Sequence, residues 1–388
     1  MSQATSPQSP SGAPPEPSSE ARATAPLTPA EIARALGRRV IGQEEAVREM
    51  AVALAKHLAG VHTGNILLIG SSGTGKTTLM RSVEAFLAED PRRAARSTVV
   101  RFHAKVLAEA TEGGQAGEVV LRQLLERARE QLGPEASTEA LLERVSGGIV
   151  FVDEVDKIRS HVGNELHAAG IRAQEALLTL IENESVPFHL PSWACGDETA
   201  GGREVRVDSS GILFVAGGAF EGLYDSVYDR VTIGRDKGAL QAVTVVEDGK
   251  LREELQFHLR DWLTYDDLFD YGMSPQFLSR FDAVVLLQDL GVEELMQIFL
   301  DGSDSSLEHA QHYFASQGLE LAISPAAVRR IAQEAAARPR LGARALKEAF
   351  RRVIRDYEFD PAKVAARGTV LMIDEPEVQR TLARADED

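Results

Sequence analysis

Cysteine is nearly missing from this chain: Cys195 is the only one in 388 residues. One thiol excludes an internal disulfide and any zinc module built on several cysteine ligands, and it fits a reducing cytoplasm, the expected location. No stretch approaches the roughly 20 apolar residues needed to cross a bilayer. The N terminus has no basic run followed by an apolar one, so no secretory signal is expected either. Positive charge is also in short supply, since 42 Lys and Arg face 59 Asp and Glu for a net −17. A protein whose main task is to grip nucleic-acid backbone runs the other way. Lys157, His161, His167 and Arg172 form no dense basic stripe interleaved with aromatics. The nine histidines show no compact metal-ligand spacing, and His161 and His167, with Glu165 between them, read as a polar loop.

Large apolar side chains are almost absent from Met1 to about Thr28, where Pro, Ser, Ala and Gly dominate. Nothing in residues 1–28 can offset the entropy of ordering, so a disordered tail is expected. Pro29 suits a first helical turn ahead of Glu31, Ile32 and Leu36. From there apolar strands alternate with amphipathic helices. Strands are predicted at Asn65–Ile69, Thr98–Phe102, Gly148–Val152, Gly211–Ala216 and Ala283–Leu287, with helices at Glu44–Leu58, Thr77–Leu87, Glu118–Arg129 and Ile171–Glu182. Such alternation predicts an α/β fold: a mostly parallel five-stranded sheet flanked by helices, spanning 29–290. Past Gly291 the strand signal fades and helical periods take over, so 291–378 is expected to be a small helical lid domain and 379–388 a disordered acidic tail. Cys195–Arg206 and Gly234–Gly249 are expected to be long loops or small insertions within the first domain.

Gly70-Ser71-Ser72-Gly73-Thr74-Gly75-Lys76-Thr77 satisfies the full GxxxxGK[ST] pattern, between an apolar strand and a helix. Glycines allow successive amides to turn inward around a phosphate, Lys76 reaches the β- and γ-phosphates, and the Thr77 hydroxyl can ligate magnesium. Thr78 follows at the helix start, where the helix adds its partial positive charge. One βα unit later, Ile149-Val150-Phe151-Val152-Asp153-Glu154 is an apolar strand ending in two acids. Asp153 is suited to hold magnesium through its water shell and Glu154 to polarise an attacking water. Together these segments predict a magnesium-dependent ATPase, with Lys76 and Glu154 as catalytic groups and Thr77 and Asp153 at the metal.

These motifs and those around them make the chain resemble the AAA+ superfamily, and within it the Clp-family ATPases of the ClpX type, over about Leu36 to Pro361. Val40-Ile41-Gly42-Gln43 resembles the family's adenine-flanking segment, which implies nucleotide contacts for Val40 and Ile41. Asp153-Glu154-Val155-Asp156-Lys157-Ile158 resembles its extended Walker B, and Gln174–Glu182 the helix that follows. Ile212–Phe220 is similar to its sensor-1 strand, Met273–Arg280 to the arginine-finger segment, and Gly342-Ala343-Arg344 to the sensor-2 signature. The resemblance implies that Arg280 acts in trans on the ATP of a neighbouring subunit and that Arg344 acts from the small domain. It therefore implies a homo-oligomer, a hexameric ring in the family.

Three departures bear on the biological task. The family's four-cysteine zinc-binding domain has no counterpart, so recruitment through it is not carried over. Gly114-Gln115-Ala116-Gly117 stands where the family presents an aromatic to its pore, and Gln offers far less apolar contact. Of the basic pore element, Gly201-Gly202-Arg203-Glu204 retains only a trace. Ile233-Gly234-Arg235 stands where an aliphatic-Gly-aromatic tripeptide docks the family's peptidase, and a charge there argues against docking. The expected function is ATP-dependent remodelling or unfolding of a protein client without a peptidase. Two alternatives stay open: an unfoldase subunit of a Clp-type protease, and a nucleotide-gated scaffold or switch.

Overall fold

The computed structural model describes residues 27–385 apart from 111–115, 164, 183–184, 196–201, 234–240, 248–249, 257–258, 303–304 and 366–367. The N-terminal tail expected to precede Thr28, Gly114 and Gln115, Gly201, and Gly234 and Arg235, the positions compared with the family's pore and docking loops, lie outside the described residues, apart from Leu27 and Thr28 themselves.

Thr28 caps the first described helix for a local reason. The Glu31 amide donates to its hydroxyl at 3.3 Å, the Thr28 amide donates to the Glu31 carboxylate at 2.9 Å, and Pro29 starts helix α1 (Pro29–Gly37). Ile32 and Leu36 of α1 are buried in one core with Val47, Met50 and Leu54 of α2 (Glu44–Leu58).

Five parallel strands form the main sheet: β1 (Asn65–Ile69), β2 (Val99–His103), β3 (Ile149–Asp153), β4 (Leu213–Gly218) and β5 (Phe281–Leu286), in the order β5-β1-β4-β3-β2. Period-two alternation sends Leu67, Ile69, Val150, Val152, Phe214 and Ala216 into one core. Ile66, Leu68, Ile149, Phe151, Leu213 and Val215 enter the other, shared with α2 and with α3 (Lys76–Ala88). Both faces are therefore covered, which is why the central strands are apolar throughout rather than alternating. Parallel strands also bring their C-terminal ends to one edge, where ligands bind in open α/β sheets.

Helix α4 (Ala168–Glu182) packs on the first core through Ala173, Leu177 and Leu180, and the short helix α5 (Pro275–Leu278) precedes β5. A separate hydrophobic cluster runs from Leu290 to Leu382 and gathers the helices Val292–Asp301, Ser306–Ser316, Pro325–Ala336, α6 (Ala343–Phe359) and α7 (Glu375–Ala385).

One sequence expectation needs correction and the structure adds detail to three others. The small region is mainly helical as expected, and it also holds β6 (Glu320–Ile323) and β7 (Val370–Ile373), a two-stranded parallel sheet with Leu321, Leu371 and Ile373 buried. Each strand has only four residues and its partner is remote in sequence, so no local period marks it. The expected tail from 379 is instead helical to Ala385, because Val378 and Leu382, one helical turn apart, both bury against the small core. Within Cys195–Arg206, residues from Arg203 onward belong to the strand Arg203–Val207, paired antiparallel with Val186–Leu190. Within Gly234–Gly249, Gln241–Glu247 pairs antiparallel with Lys250–Gln256. The main-sheet strands lie within one or two residues of their predicted bounds.

Candidate functional site

The loop after β1 closes around a buried cation. Gly73 and Gly75 adopt φ of +78° and +108°, a region that side-chain-bearing residues rarely occupy. The turn this permits lets the Lys76 ammonium donate to the carbonyls of Gly70 and Ser71, the latter at 3.0 Å, while the Thr74 hydroxyl donates to Ser71 O at 2.9 Å. Burial of the ammonium holds the Lys76 pKa down to about 8, opposed by the nearby Asp153 and Asp156 carboxylates and reinforced by Arg344. Its hydrogen-bond partners are carbonyls, so a polyanion entering the loop would supply the direct counter-charge that Lys76 lacks.

β3 delivers the acids opposite. The Thr77 hydroxyl donates to Asp153 at 3.2 Å, joining the first residues of α3 to the end of β3. A hydroxyl and a carboxylate side by side, next to a phosphate-shaped loop, are the hard oxygen donors that magnesium prefers. The other Asp153 oxygen accepts from the Glu154 amide at 2.9 Å. Glu154 takes φ of +57°, an uncommon conformation for a side-chain-bearing residue that costs about 1–3 kcal/mol and turns the chain sharply after the strand. Its carboxylate stays about half exposed, 3.9 Å from the His103 ring at the end of β2. Phe220, just beyond β4, is the other described non-glycine residue with positive φ. Both exceptions therefore lie at the C-terminal edge of the sheet.

Two further residues join the site that the motifs did not assign. Gln43 is 3% exposed; its amide donates to Thr74 O at 3.0 Å and Gln288 O at 2.8 Å, and accepts from the Gln288 amide at 2.9 Å. It thereby ties the phosphate loop to the chain leaving β5. Asp156 is 1% exposed and accepts from the Ala219 amide at 3.1 Å, linking the turn after β3 to the end of β4. Gln43 sits in the Val40–Gln43 segment singled out by resemblance, but only tertiary packing shows that its side chain hydrogen-bonds to the loop. Val40 lies in the core at 5% exposure and Ile41 is half-buried.

The small region closes over the loop. The Ala343 amide donates to Gly73 O at 3.2 Å, and a Cβ on Gly73 would stand 2.3 Å from Leu341 O. Arg340 pairs with Asp225 and lies 5.7 Å from the centre of the Tyr224 ring. A cleft of about 1090 Å³ results, lined by Gly70–Ser72, Ala219–Tyr224, Leu286–Asp289 and Arg340, with Arg344 on its wall. Burial pushes Asp289 of this cleft up, against a hydrogen bond with Ser71 and the charge of Arg340.

Arg280 is not part of this assembly. It precedes β5, and the register pairs Phe281 with Asn65 and Leu286 with Ile69, so Arg280 lies at the opposite edge of the sheet from the phosphate loop. Its guanidinium pairs with Glu182, and its carbonyl accepts from the Asn65 side chain at 3.0 Å.

Comparison with known proteins finds relatives of both the sheet region and the small region. Residues 61–284 match the family described as AAA domain (Cdc48 subfamily), and residues 290–358 match the C-terminal, D2-small domain of ClpB protein. The chain is 33% identical to ATP-dependent Clp protease ATP-binding subunit ClpX 3 of Methylococcus capsulatus, over 93% of this chain and 83% of that protein. It is 30% identical to the ClpX subunit of Azotobacter vinelandii, covering 90% and 78%, and 29% identical to that of Treponema denticola, covering 89% and 80%.

Proposed function

Since the chain belongs to the AAA+ ATPases of the Clp family and is similar to the ClpX-type ATP-binding subunit, we propose that it remodels or unfolds a protein client, driven by magnesium-dependent ATP hydrolysis in a homo-oligomeric ring. In this reading Gly70 to Thr78 cradle the phosphates, Lys76 neutralises the β- and γ-oxygens, and Thr77 and Asp153 hold magnesium. When bound, the ion neutralises charge on the phosphates. Glu154 takes up hydrogen-bonding to the attacking water, and Arg344 senses the nucleotide from the small region. Arg280 serves the neighbouring subunit.

One observation carries the proposal. Lys76, Thr77, Asp153 and Glu154 converge at one edge of the sheet while Arg280 stands at the other. The separation is a strand length, roughly 17 Å at about 3.3 Å per residue. A finger so placed cannot serve its own chain's phosphates, whereas a ring brings it to the next one. Phosphate release measured with Glu154→Gln and Arg280→Ala tests the assignment: both should bind ATP and lose turnover, and sustained turnover by Glu154→Gln would reject it.

The altered Gln115 and Arg235 favour a task without a peptidase, in the cytoplasm, on a protein rather than nucleic acid. The names of the relatives, ATP-binding subunits of Clp protease, favour the second reading, an unfoldase that feeds a peptidase. Single-turnover unfolding of a fluorescent client, with and without a Clp-type peptidase, separates the two. Gln115→Tyr should increase pulling if residue 115 limits grip.

A further inference from the structure

Helix α4 is tied to the two ends of the molecule's chemistry. Midway along it stands Gln174, 2% exposed and engaged at both ends of its amide. Its amide nitrogen donates to Ile158 O at 2.7 Å and Gly272 O at 3.0 Å, and its oxygen accepts from the Ser274 amide at 2.8 Å. All three partners are backbone groups, and they come from two separate segments. Ile158 closes the turn that begins with Asp153 and Glu154. Gly272 and Ser274 frame the start of the segment that ends in Arg280, and Ser274 caps α5, its hydroxyl accepting from the Phe277 amide at 3.4 Å. The last residue of α4, Glu182, pairs with the Arg280 guanidinium itself.

A buried amide with these three partners cannot shift without leaving the Ile158 carbonyl and the Ser274 amide unpaired, at about 1–3 kcal/mol each, while Gly272 O keeps the Ser160 amide at 2.7 Å. The same helix therefore holds the finger segment at its entrance through Gln174 and at its tip through Glu182. Between these points α4 spans eight residues, or about 12 Å, as a rigid rod. The contact with Ile158 gives that rod a footing on the turn below the chain's own Glu154.

From this geometry we infer that Gln174 is a positioning residue for Arg280: it locks the finger segment to helix α4, so that each chain presents its finger to the neighbouring subunit in a set orientation. The inference rests on the trans reading of Arg280. It goes beyond that reading in assigning a residue that contacts neither nucleotide nor neighbour.

Mixed assemblies provide the test. Gln174→Met keeps the side-chain volume and removes all three hydrogen bonds. Alone it should bind ATP within about threefold of wild type and lose about tenfold or more of its turnover, a loss equal to one donor-class interaction. Mixed with Glu154→Gln subunits, which have dead sites and good fingers, it should recover turnover. Mixed with Arg280→Ala subunits, which have good sites and no fingers, it should not. A merely structural lesion would lower activity in both mixtures alike, and a lesion in the variant's own ATP site would recover only with Arg280→Ala. Either pattern overturns the inference. If Gln174→Met does not fold, Gln174→Glu retains the acceptor for Ser274, loses both donated bonds, and is read in the same mixtures. Arg280→Ala mixed with Glu154→Gln is the control. Failure of that pair to recover, with subunit exchange demonstrated, removes the trans reading itself, whereas its recovery beside a wrong Gln174 pattern removes only the inference.

Discussion

The two edges of the five-stranded sheet differ in how they hold their charged groups. At the C-terminal edge, Lys76 is buried on backbone carbonyls, Thr77 is set against Asp153, and Asp156 is engaged by the Ala219 amide. At the N-terminal edge, Arg280 is about half exposed and its only ion partner among the described residues is the half-buried Glu182. The first arrangement is pre-organised to receive an anion without further movement; the second can release its cation to another molecule. On the proposed trans role of Arg280, one chain would carry most of one site and a part of a second, and activity would be a property of the assembly.

The strongest way to break that contrast is to remove a charge from either edge. Lys76→Ala should weaken ATP binding and reduce turnover by about 10³-fold, since a cation fixed on the transferring phosphoryl group is lost. Arg280→Ala should reduce turnover by a similar factor, on the order of 10³ or more, with ATP affinity retained. Equilibrium binding of a fluorescent nucleotide beside steady-state phosphate release measures both. Equal loss of affinity in the two variants would erase the distinction between the edges.

A smaller effect is expected at the seam between phosphate loop and small region. In Gly73→Ala the added Cβ meets Leu341 O at 2.3 Å on a backbone of positive φ. Relief requires Ala343 and Arg344 to move away, and turnover should fall about tenfold, the equivalent of about 1.4 kcal/mol of overpacking. A distance probe between Asp225 and Arg340 should report the opened seam. Unchanged spacing and activity would mean that the small region does not close on the loop in the working enzyme.

Gln43→Leu tests the support behind the loop. It leaves the carbonyl of Thr74, a residue 1% exposed, unpaired, and strips the exposed Gln288 backbone of partners that water can replace, so stability should fall by about 1–3 kcal/mol, the cost of one unpaired buried group. Chemical denaturation with the slope held constant would read it.

The gentlest test uses protons. Burial depresses Lys76 to about 8 from an ordinary 10.5, so between those values the unfolded chain binds more protons than the folded one. The burden of a buried charge is present below about pH 8 and lifts as pH rises through that value, so this residue's contribution favours the folded state more at high pH. ATP acts in the opposite sense, because its phosphates restore the charged form. Affinity should decline as pH rises above 8, with uptake of up to about one proton per ATP bound. Calorimetry at pH 9 in buffers of different ionisation enthalpy measures that uptake, and Lys76→Met should abolish it. No uptake would mean that the ammonium is already charged and paired.

Much of this architecture is legible in residue order and type. The glycine pattern of Gly70–Gly75 and the apolar run Ile149–Val152 are local: the conformations they demand, and the strands they form, depend on neighbouring residues. Hence the five strands of the sheet and the residues of the phosphate loop are readable from spacing and residue type, and by resemblance so is Arg280. What escapes such reading involves partners far apart in the chain. Gln43 meets Gln288, Gln174 meets Ser274, and β6 meets β7, all over separations that no periodicity spans. An isolated Gln on a helix or before one has no sequence mark to show whether water or a backbone carbonyl will satisfy it. Residue type and local period alone determined the sheet, the loop and the acids at its edge. Only the tertiary structure decided which buried amides splice those parts together, because a hydrogen bond depends on where two segments meet in space and not on how either is composed.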